Sequence, residues 1–436
     1  MQNLSFNLSL FLVFWSAVQL SAQNYVNYFT GNPQDKVTDA QGGVCLMGGS
    51  REDDQAMKWF LKRANGGDVL VLRASGSDGY NNYLFSELGV PVNSVETIVF
   101  KDASASQEAY IQQKIKQAEA IWLAGGNQWK YVSYWRDSPV AELINQGIQE
   151  RNLTIGGTSA GMAILCGLYF SSEYGTISTE DALQNPLDRK VFIDTTPFIQ
   201  LDYLQNVITD THYAERDRQG RQVAFMAYAR QFYQSDIRGI ACDERTAVCI
   251  DPEGRAYVYG SNSADNGNAY FLQTNCEANH PAPETYIANQ SLEWNADQAA
   301  IKVYRVKGTP EGNPFFDLKQ WQDGDNGTWL DWSVRDGRLF QKLGNAPACN
   351  LAVNTNSIKI IEVQIFPNPG QTEIRIQAGT PFNSIEIRDT LGRMVNKAPN
   401  LEASNHSINS TDWAPGAYFI YLYFGAQPII RKIIKQ

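Results

Sequence analysis

Five short, continuously apolar runs divide the first 160 residues, and they constrain the fold more than any other feature. They are Gly43–Met47, Asp68–Leu72, Thr97–Phe100, Ala120–Ala124 and Leu153–Ile155. Helical patterns separate several of them, at Asp53–Ala64, Ser106–Gln117 and Ser138–Arg151. A strand with one wet face alternates polar and apolar residues; a run apolar throughout is buried on both faces. Such strands separated by helices predict an α/β fold with a doubly wound, mostly parallel sheet. In folds of this kind ligands bind at the carboxyl ends of the strands.

Two glycine-rich turns fall at such ends. Ala120–Ala124 runs into Gly125-Gly126-Asn127-Gln128, and Leu153–Ile155 into Gly156-Gly157-Thr158-Ser159-Ala160-Gly161. The second has the G-x-S-x-G form, in which a tight turn between strand and helix exposes a serine hydroxyl. Met162–Leu165 follows and can begin that helix, whose first N–H groups would favour a developing oxyanion. Ser159 is therefore a candidate nucleophile. The N–H groups of Ala160 and Gly126 are candidate oxyanion donors.

An activated serine needs a base, usually histidine. The chain has only three histidines, His212, His280 and His406. His212 follows the strand-like run Asn206–Thr211, so it too falls at a strand's carboxyl end and is the candidate base. A carboxylate should orient the imidazole. Glu173 is the first candidate because it follows the nucleophile turn closely, with Glu180, Asp181 and Glu244 as alternatives. Two other readings stand beside this one. An esterase of the α/β-hydrolase type shares G-x-S-x-G but would require His280 or His406, and the chain lacks an H-G-G-G motif. A catalytically inactive binding protein is the other.

Composition narrows the choice of partners. A net charge of −10, with no basic run before the extreme C-terminus, argues against nucleic acid. The uncharged apolar run Leu8–Val18, followed by Ser21-Ala22, reads as a secretory signal over 1–22. Six cysteines suit an oxidising compartment. Cys276 and Cys349 could form a bridge, Cys242 and Cys249 flank an expected hairpin, and Cys45 and Cys166 read as buried thiols. No C-x-x-C pair or other metal-ligand spacing occurs, and no cofactor is expected. The sequence leaves the oligomeric state open, a homodimer among the options.

At four blocks the chain resembles the cyanophycinase and dipeptidase E group of serine exopeptidases, peptidase family S51. These are Ala124–Gln128, Gly157–Gly161, Asp210–Arg221 and Asp243–Ala247. The resemblance spans about 24–310 and implies a fold like class I glutamine amidotransferases. It also implies that Ser159 attacks a peptide substrate with His212 as base, and that Gln128 contacts substrate near the scissile bond. Arg216 would then lie at the substrate pocket, and Glu244 near the histidine or substrate. Cyanophycinases release β-aspartyl-arginine dipeptides, and a guanidinium suits such carboxylates. Thr211 departs from the glutamine common in cyanophycinases, and the stretch from Ser159 to His212 is longer than expected.

Residues 311–360 read as a β-rich extension or linker. Beyond it the texture turns to alternating β, as in Glu373-Ile374-Arg375-Ile376, with turns such as Pro367-Asn368-Pro369-Gly370. This predicts a small C-terminal β-sandwich over 362–436. With Phe366–Pro369, Leu391-Gly392-Arg393, Pro415–Phe419 and the basic end Arg431–Lys435, it resembles the C-terminal sorting domain of the type IX secretion system. That resemblance implies a secreted or cell-surface bacterial protein whose partner is the secretion machinery.

Overall fold

The structure, a computed structural model, describes residues 23–233, 236–261, 267–349, 363–389, 393–399, 401–423 and 428–436. The expected signal at 1–22 and the Leu391-Gly392 pair lie outside them.

The first sheet has nine strands. They are β1 (Tyr25–Gly31), β2 (Val44–Met47), β3 (Asp68–Arg73), β4 (Ser94–Phe100), β5 (Ala120–Leu123), β6 (Thr154–Thr158), β9 (Ala247–Ile250), β10 (Arg255–Tyr259) and β13 (Phe315–Asp317). Their order is β1-β4-β3-β5-β6-β2-β9-β10-β13. The five strands from β4 to β2 are parallel, as the apolar runs predict. Antiparallel strands flank them on both sides.

The strands are apolar throughout because successive side chains enter two different cores. Met47, Val69, Val71 and Trp122 pack on α1 (Asp54–Arg63) with Met57, Phe60 and Leu61. The intervening residues Leu46, Leu70, Leu72, Ile121 and Leu123 share the opposite core with α2 (Ala109–Gln117), α3 (Gln128–Trp135) and α4 (Pro139–Arg151). With a period of two and both faces covered, these strands keep no solvent-facing position in their interiors, and their few polar residues, such as Glu96 and Thr97, are buried. Local chemistry sets the helix ends. The carboxylate of Asp53 accepts the N–H groups of Gln55 and Ala56, and Ser138 caps α4 ahead of Pro139. At its far end Asn152 takes the left-handed cap at φ +52°.

The second sheet has six strands in the order β15-β14-β12-β11-β8-β7. These are β7 (Val207–Asp210), β8 (Arg238–Cys242), β11 (Asn268–Thr274), β12 (Ile301–Lys307), β14 (Gly327–Arg335) and β15 (Arg338–Leu343). Only β7 and β8 run parallel. The helices α5 (Thr179–Gln184) and α6 (Gln219–Tyr233) pack on each other beside this sheet. Cys242 and Cys249 do not flank a hairpin. β8 pairs with β7 and β11, whereas β9 pairs with β2 and β10, so the chain changes sheets over Asp243–Thr246.

The residues after 310 are woven into both sheets, because β13 pairs with β10 and β14 with β12. Trp321 and Trp332 are fully buried there, as is Trp294, which bridges to Val334 of β14. A disulfide joins Cys276 to Cys349, with Cα atoms 5.9 Å apart. The C-terminal segment forms a three-stranded and a four-stranded antiparallel sheet around Ile374, Ile376, Phe382, Ile385, Ile387 and Ile420.

Candidate active site

Four carboxyl strand ends build the site: those of β2, β5 and β6 in the first sheet and of β7 in the second. Ser159 follows β6 in the left-handed region at φ +51°, which a non-glycine residue adopts only when its surroundings hold it there. Its N–H donates to the Met47 carbonyl at 3.0 Å and its carbonyl accepts the Ala163 N–H at 2.9 Å. A Cβ on Gly161 would run into the Leu123 carbonyl, so only glycine lets the turn fold back on β5. The helix expected after the turn is absent. Met162–Ile164 forms a single 3₁₀ turn, because the chain is drawn off to bond Gly167 N–H to the Leu204 carbonyl. The macrodipole expectation falls with it.

Ser159 Oγ lies 2.8 Å from His212 Nε2, and His212 Nδ1 lies 2.6 Å from Glu244 Oε1. His212 sits two residues past β7 at φ +49°, its N–H held by the Gly48 carbonyl at 2.8 Å. The imidazole lies on Gly49, where φ is +109° and any Cβ would occupy the ring's position. Gly48-Gly49 is a strand-ending pair like Gly125-Gly126, a signal that sequence reasoning passed over. The Glu244 carboxylate accepts from Nδ1, which leaves the Nε2 lone pair facing the Ser159 hydroxyl. Burial, with Arg216 and Arg218 nearby, holds the His212 pKa below its usual 6.5 despite the opposing Glu244 bond. Burial alone would raise Glu244, yet the His212 hydrogen bond leaves it lower than an ordinary glutamate.

The carboxylate on His212 is thus Glu244 and not Glu173. Glu244 arrives on the loop between the two sheets, next to β7. Glu173 follows the buried Ser171, whose Oγ accepts its N–H at 3.4 Å. Glu180 and Asp181 lie in the first turn of α5, where Ser178 Oγ donates to Asp181. His280 is exposed, and His406 lies on a strand of the C-terminal sheets opposite Ile376. Asp243, named in the sequence only as part of a block, is fully buried. It accepts the N–H groups of Ala214, Gly267 and Asn268 at 3.0, 3.0 and 2.9 Å, which pins the His212 loop to β11.

Gly125 lies against Ser159: a Cβ built on it would be 3.7 Å from the serine Cβ. Tyr131 holds this turn by donating its hydroxyl to the Ala124 carbonyl at 2.9 Å. Among the described residues, neither the Gly126 nor the Ala160 N–H has a hydrogen-bond acceptor. A cavity of about 240 Å³ is lined by Gln128, Ala163, Phe170, Thr211, Arg216, Arg218 and Arg221, of which Gln128 and Thr211 lie close to Gly126 and His212 in sequence. Gln128 Nε2 donates to the Phe170 carbonyl at 2.7 Å.

The three arginines differ in state. Arg221 is buried and bidentate on Asp210 at 2.8 and 2.6 Å. Arg218 donates to the Thr211 carbonyl at 2.8 Å, and burial pushes its pKa down to about 10. Arg216 is exposed, and its backbone N–H donates to the His212 carbonyl at 3.0 Å, but its guanidinium makes no hydrogen bond or ion pair among the described residues. It is the cation left to meet a ligand.

The sequence profile of Peptidase family S51 matches residues 48–256, and that of the Secretion system C-terminal sorting domain matches 364–436. A cyanophycinase of Trichormus variabilis is 26% identical over 180 residues, 41% of this chain and 54% of the relative. One of Geminocystis herdmanii is 25% identical over 232 residues, 50% of this chain and 78% of the relative. The chain thus spans about half the length of the first of these relatives. A crystal structure of a peptidase from an acI-B1 Actinobacterium superposes at a TM-score of 0.38 with 13% identity, covering 53% of this chain and 91% of that one. Residues 48–256 are thus similar to peptidase family S51, and the chain ends in a match to the secretion system C-terminal sorting domain, the tail of a secreted or cell-surface protein.

Proposed function

We propose that the chain is a serine exopeptidase cleaving β-aspartyl or aspartyl peptides, with cyanophycin among its candidate substrates. The hydrogen-bonded series Ser159–His212–Glu244 carries this reading. His212, held neutral, takes the Ser159 proton through Nε2 as Oγ attacks the scissile carbonyl. The oxyanion forms towards the free N–H groups of Ala160 and Gly126. One such donor is worth about 10²–10³-fold in rate. The imidazolium, steadied by Glu244, then protonates the departing amine, and water reverses the sequence to free Ser159.

The cavity supports action at a chain end. At about 240 Å³ it is smaller than the roughly 300–1,000 Å³ of drug-sized pockets, so it takes a terminal residue rather than an extended chain. Arg216 supplies the charge for a substrate carboxylate, as a guanidinium binds one through two parallel hydrogen bonds. Gln128 lines the same cavity, and in this reading it contacts the substrate near the scissile bond. The likeness to proteins named cyanophycinase supports cyanophycin as a candidate substrate.

The test is release of soluble dipeptide from insoluble cyanophycin and from Asp-X and β-Asp-X peptides, beside Ser159→Ala. Release by the wild type that is lost in the variant is expected. Release that survives Ser159→Ala removes the nucleophile assignment. Cleavage of simple peptides without cyanophycin would keep the mechanism and change the substrate.

A further inference from the structure

Two thiols outside the site face each other in the middle of the first sheet. Cys45 on β2 and Cys249 on β9 are directly opposed in the antiparallel ladder. Their Sγ atoms are 3.6 Å apart, and both residues are fully buried. They lie on the face covered by α1, among Met57 and Phe60. The other two thiols are engaged elsewhere, Cys166 with Thr209 and Cys242 with the Leu46 carbonyl.

Directly opposed antiparallel positions hold their Cβ atoms about 4.5–5.5 Å apart. A disulfide spans about 3.5–4.5 Å between Cβ atoms. Side-chain torsion with a small approach of the strands therefore closes the gap without a change of register. The chain already holds the Cys276–Cys349 bridge, and its sorting tail marks it for an oxidising compartment.

We propose that Cys45 and Cys249 are joined by a cross-strand disulfide in the exported protein. The bond forms by exchange with an external disulfide. One cysteine thiolate attacks a sulfur of that disulfide, which makes a mixed disulfide and expels a thiol. The second cysteine thiolate then displaces the other half as a thiol. Two protons and two electrons leave the protein, and the external disulfide is reduced to two thiols. Because both positions are sealed in the folded sheet, exchange occurs during assembly, before β9 closes on β2. The bond lies two residues from Met47 and Ala247, where the chain enters the Gly48-Gly49 turn and leaves the Glu244 loop. It clamps together the strands that carry the surroundings of His212.

The test is a peptide map of the full chain exported to a bacterial periplasm, denatured with an alkylating reagent and no reductant. The expected map contains a Cys45–Cys249 linked pair lighter by two hydrogens than its separate peptides. It also contains the Cys276–Cys349 pair, with alkyl groups on Cys166 and Cys242. In Cys45→Ala, Cys249 changes from unlabelled to labelled. Alkyl groups on both Cys45 and Cys249 in wild-type protein that holds Cys276–Cys349 overturn the proposal. So does a link from either to Cys166 or Cys242. The wild-type map decides even where the variant does not accumulate.

Discussion

Ser159 and His212 both hold left-handed backbone, and each donates its N–H to a carbonyl at the β2 end. Gly49 is the third member of this arrangement, since its missing side chain makes room for the imidazole. Gly49→Ala should therefore displace His212 while leaving both sheets intact. A shift of about 1 Å at a reacting group costs about 100-fold. The expected outcome is a fall in kcat of that order with unchanged far-UV circular dichroism, and an unchanged kcat counts against the close fit. The lowered His212 pKa has a sign that can be checked. The neutral base persists below pH 6.5, so the acid limb of kcat/KM should lie below that of an ordinary histidine. The unfolded chain takes up this proton first, so the same group withdraws stability as pH falls through and below 6.5. A kcat/KM limb at or above 6.5 would contradict the buried, neutral imidazole. Ser159 and His212 were legible because the turn has a sequence form and histidines are scarce. Glu244 was legible only as one of several alternative carboxylates, because its contact with His212 arises where the chain changes sheets.

Among the elements, β7 and α6 are joined by the buried pair Asp210–Arg221, and Asp210 ends the strand that delivers His212. Arg221 also lies over the rings of Phe170 and Phe225. Removing one partner of a buried pair leaves an uncompensated charge, which costs about 3–5 kcal/mol. Arg218 also lies 3.5 Å from Asp210, so Arg221→Met should lower the free energy of unfolding in urea by the lower end of that range, and a change below about 1 kcal/mol would mean that Arg218 alone compensates Asp210. The parallel strands were readable because two cores erase polar alternation. α3 was passed over, since its start is occupied by the Gly125–Gln128 turn and its signal is the single cap Asn127. The expected helix after Ser159 and the expected hairpin at Cys242 both failed for one reason. Local patterns there were overridden by long-range pairing, of Gly167 with Leu204 in one case and of β9 with β2 in the other.

Across the whole molecule, the peptidase family match ends at 256, yet the strands continue to Asp317 in the first sheet and to Leu343 in the second. The smallest active unit is therefore expected to run to Cys349, and not to 256 or 310. A chain stopped after 349 should keep the dipeptide-release rate of the full chain while losing delivery to the cell surface. Comparing activity in cell lysate with activity at the surface checks both halves, and loss of the release rate would place the C-terminal sandwich in the peptidase. The sandwich was legible from its alternating strands. The pairing of β13 with β10 and of β14 with β12 was not, because other strands lie between the partners, whereas the β14–β15 hairpin had a local signal in Asp336-Gly337 that was passed over.

The Cys276–Cys349 bridge gives the molecule a defined mechanical path. Export machinery that grips the C-terminal tail pulls on residue 349. Without the bridge that load would fall on β15, an edge strand held by one neighbour, and would peel it from β14 one hydrogen bond at a time. With the bridge, tension passes covalently to Cys276, just beyond β11, an interior strand paired on both sides. The outer hairpin is left slack while the sheet's interior bears the pull.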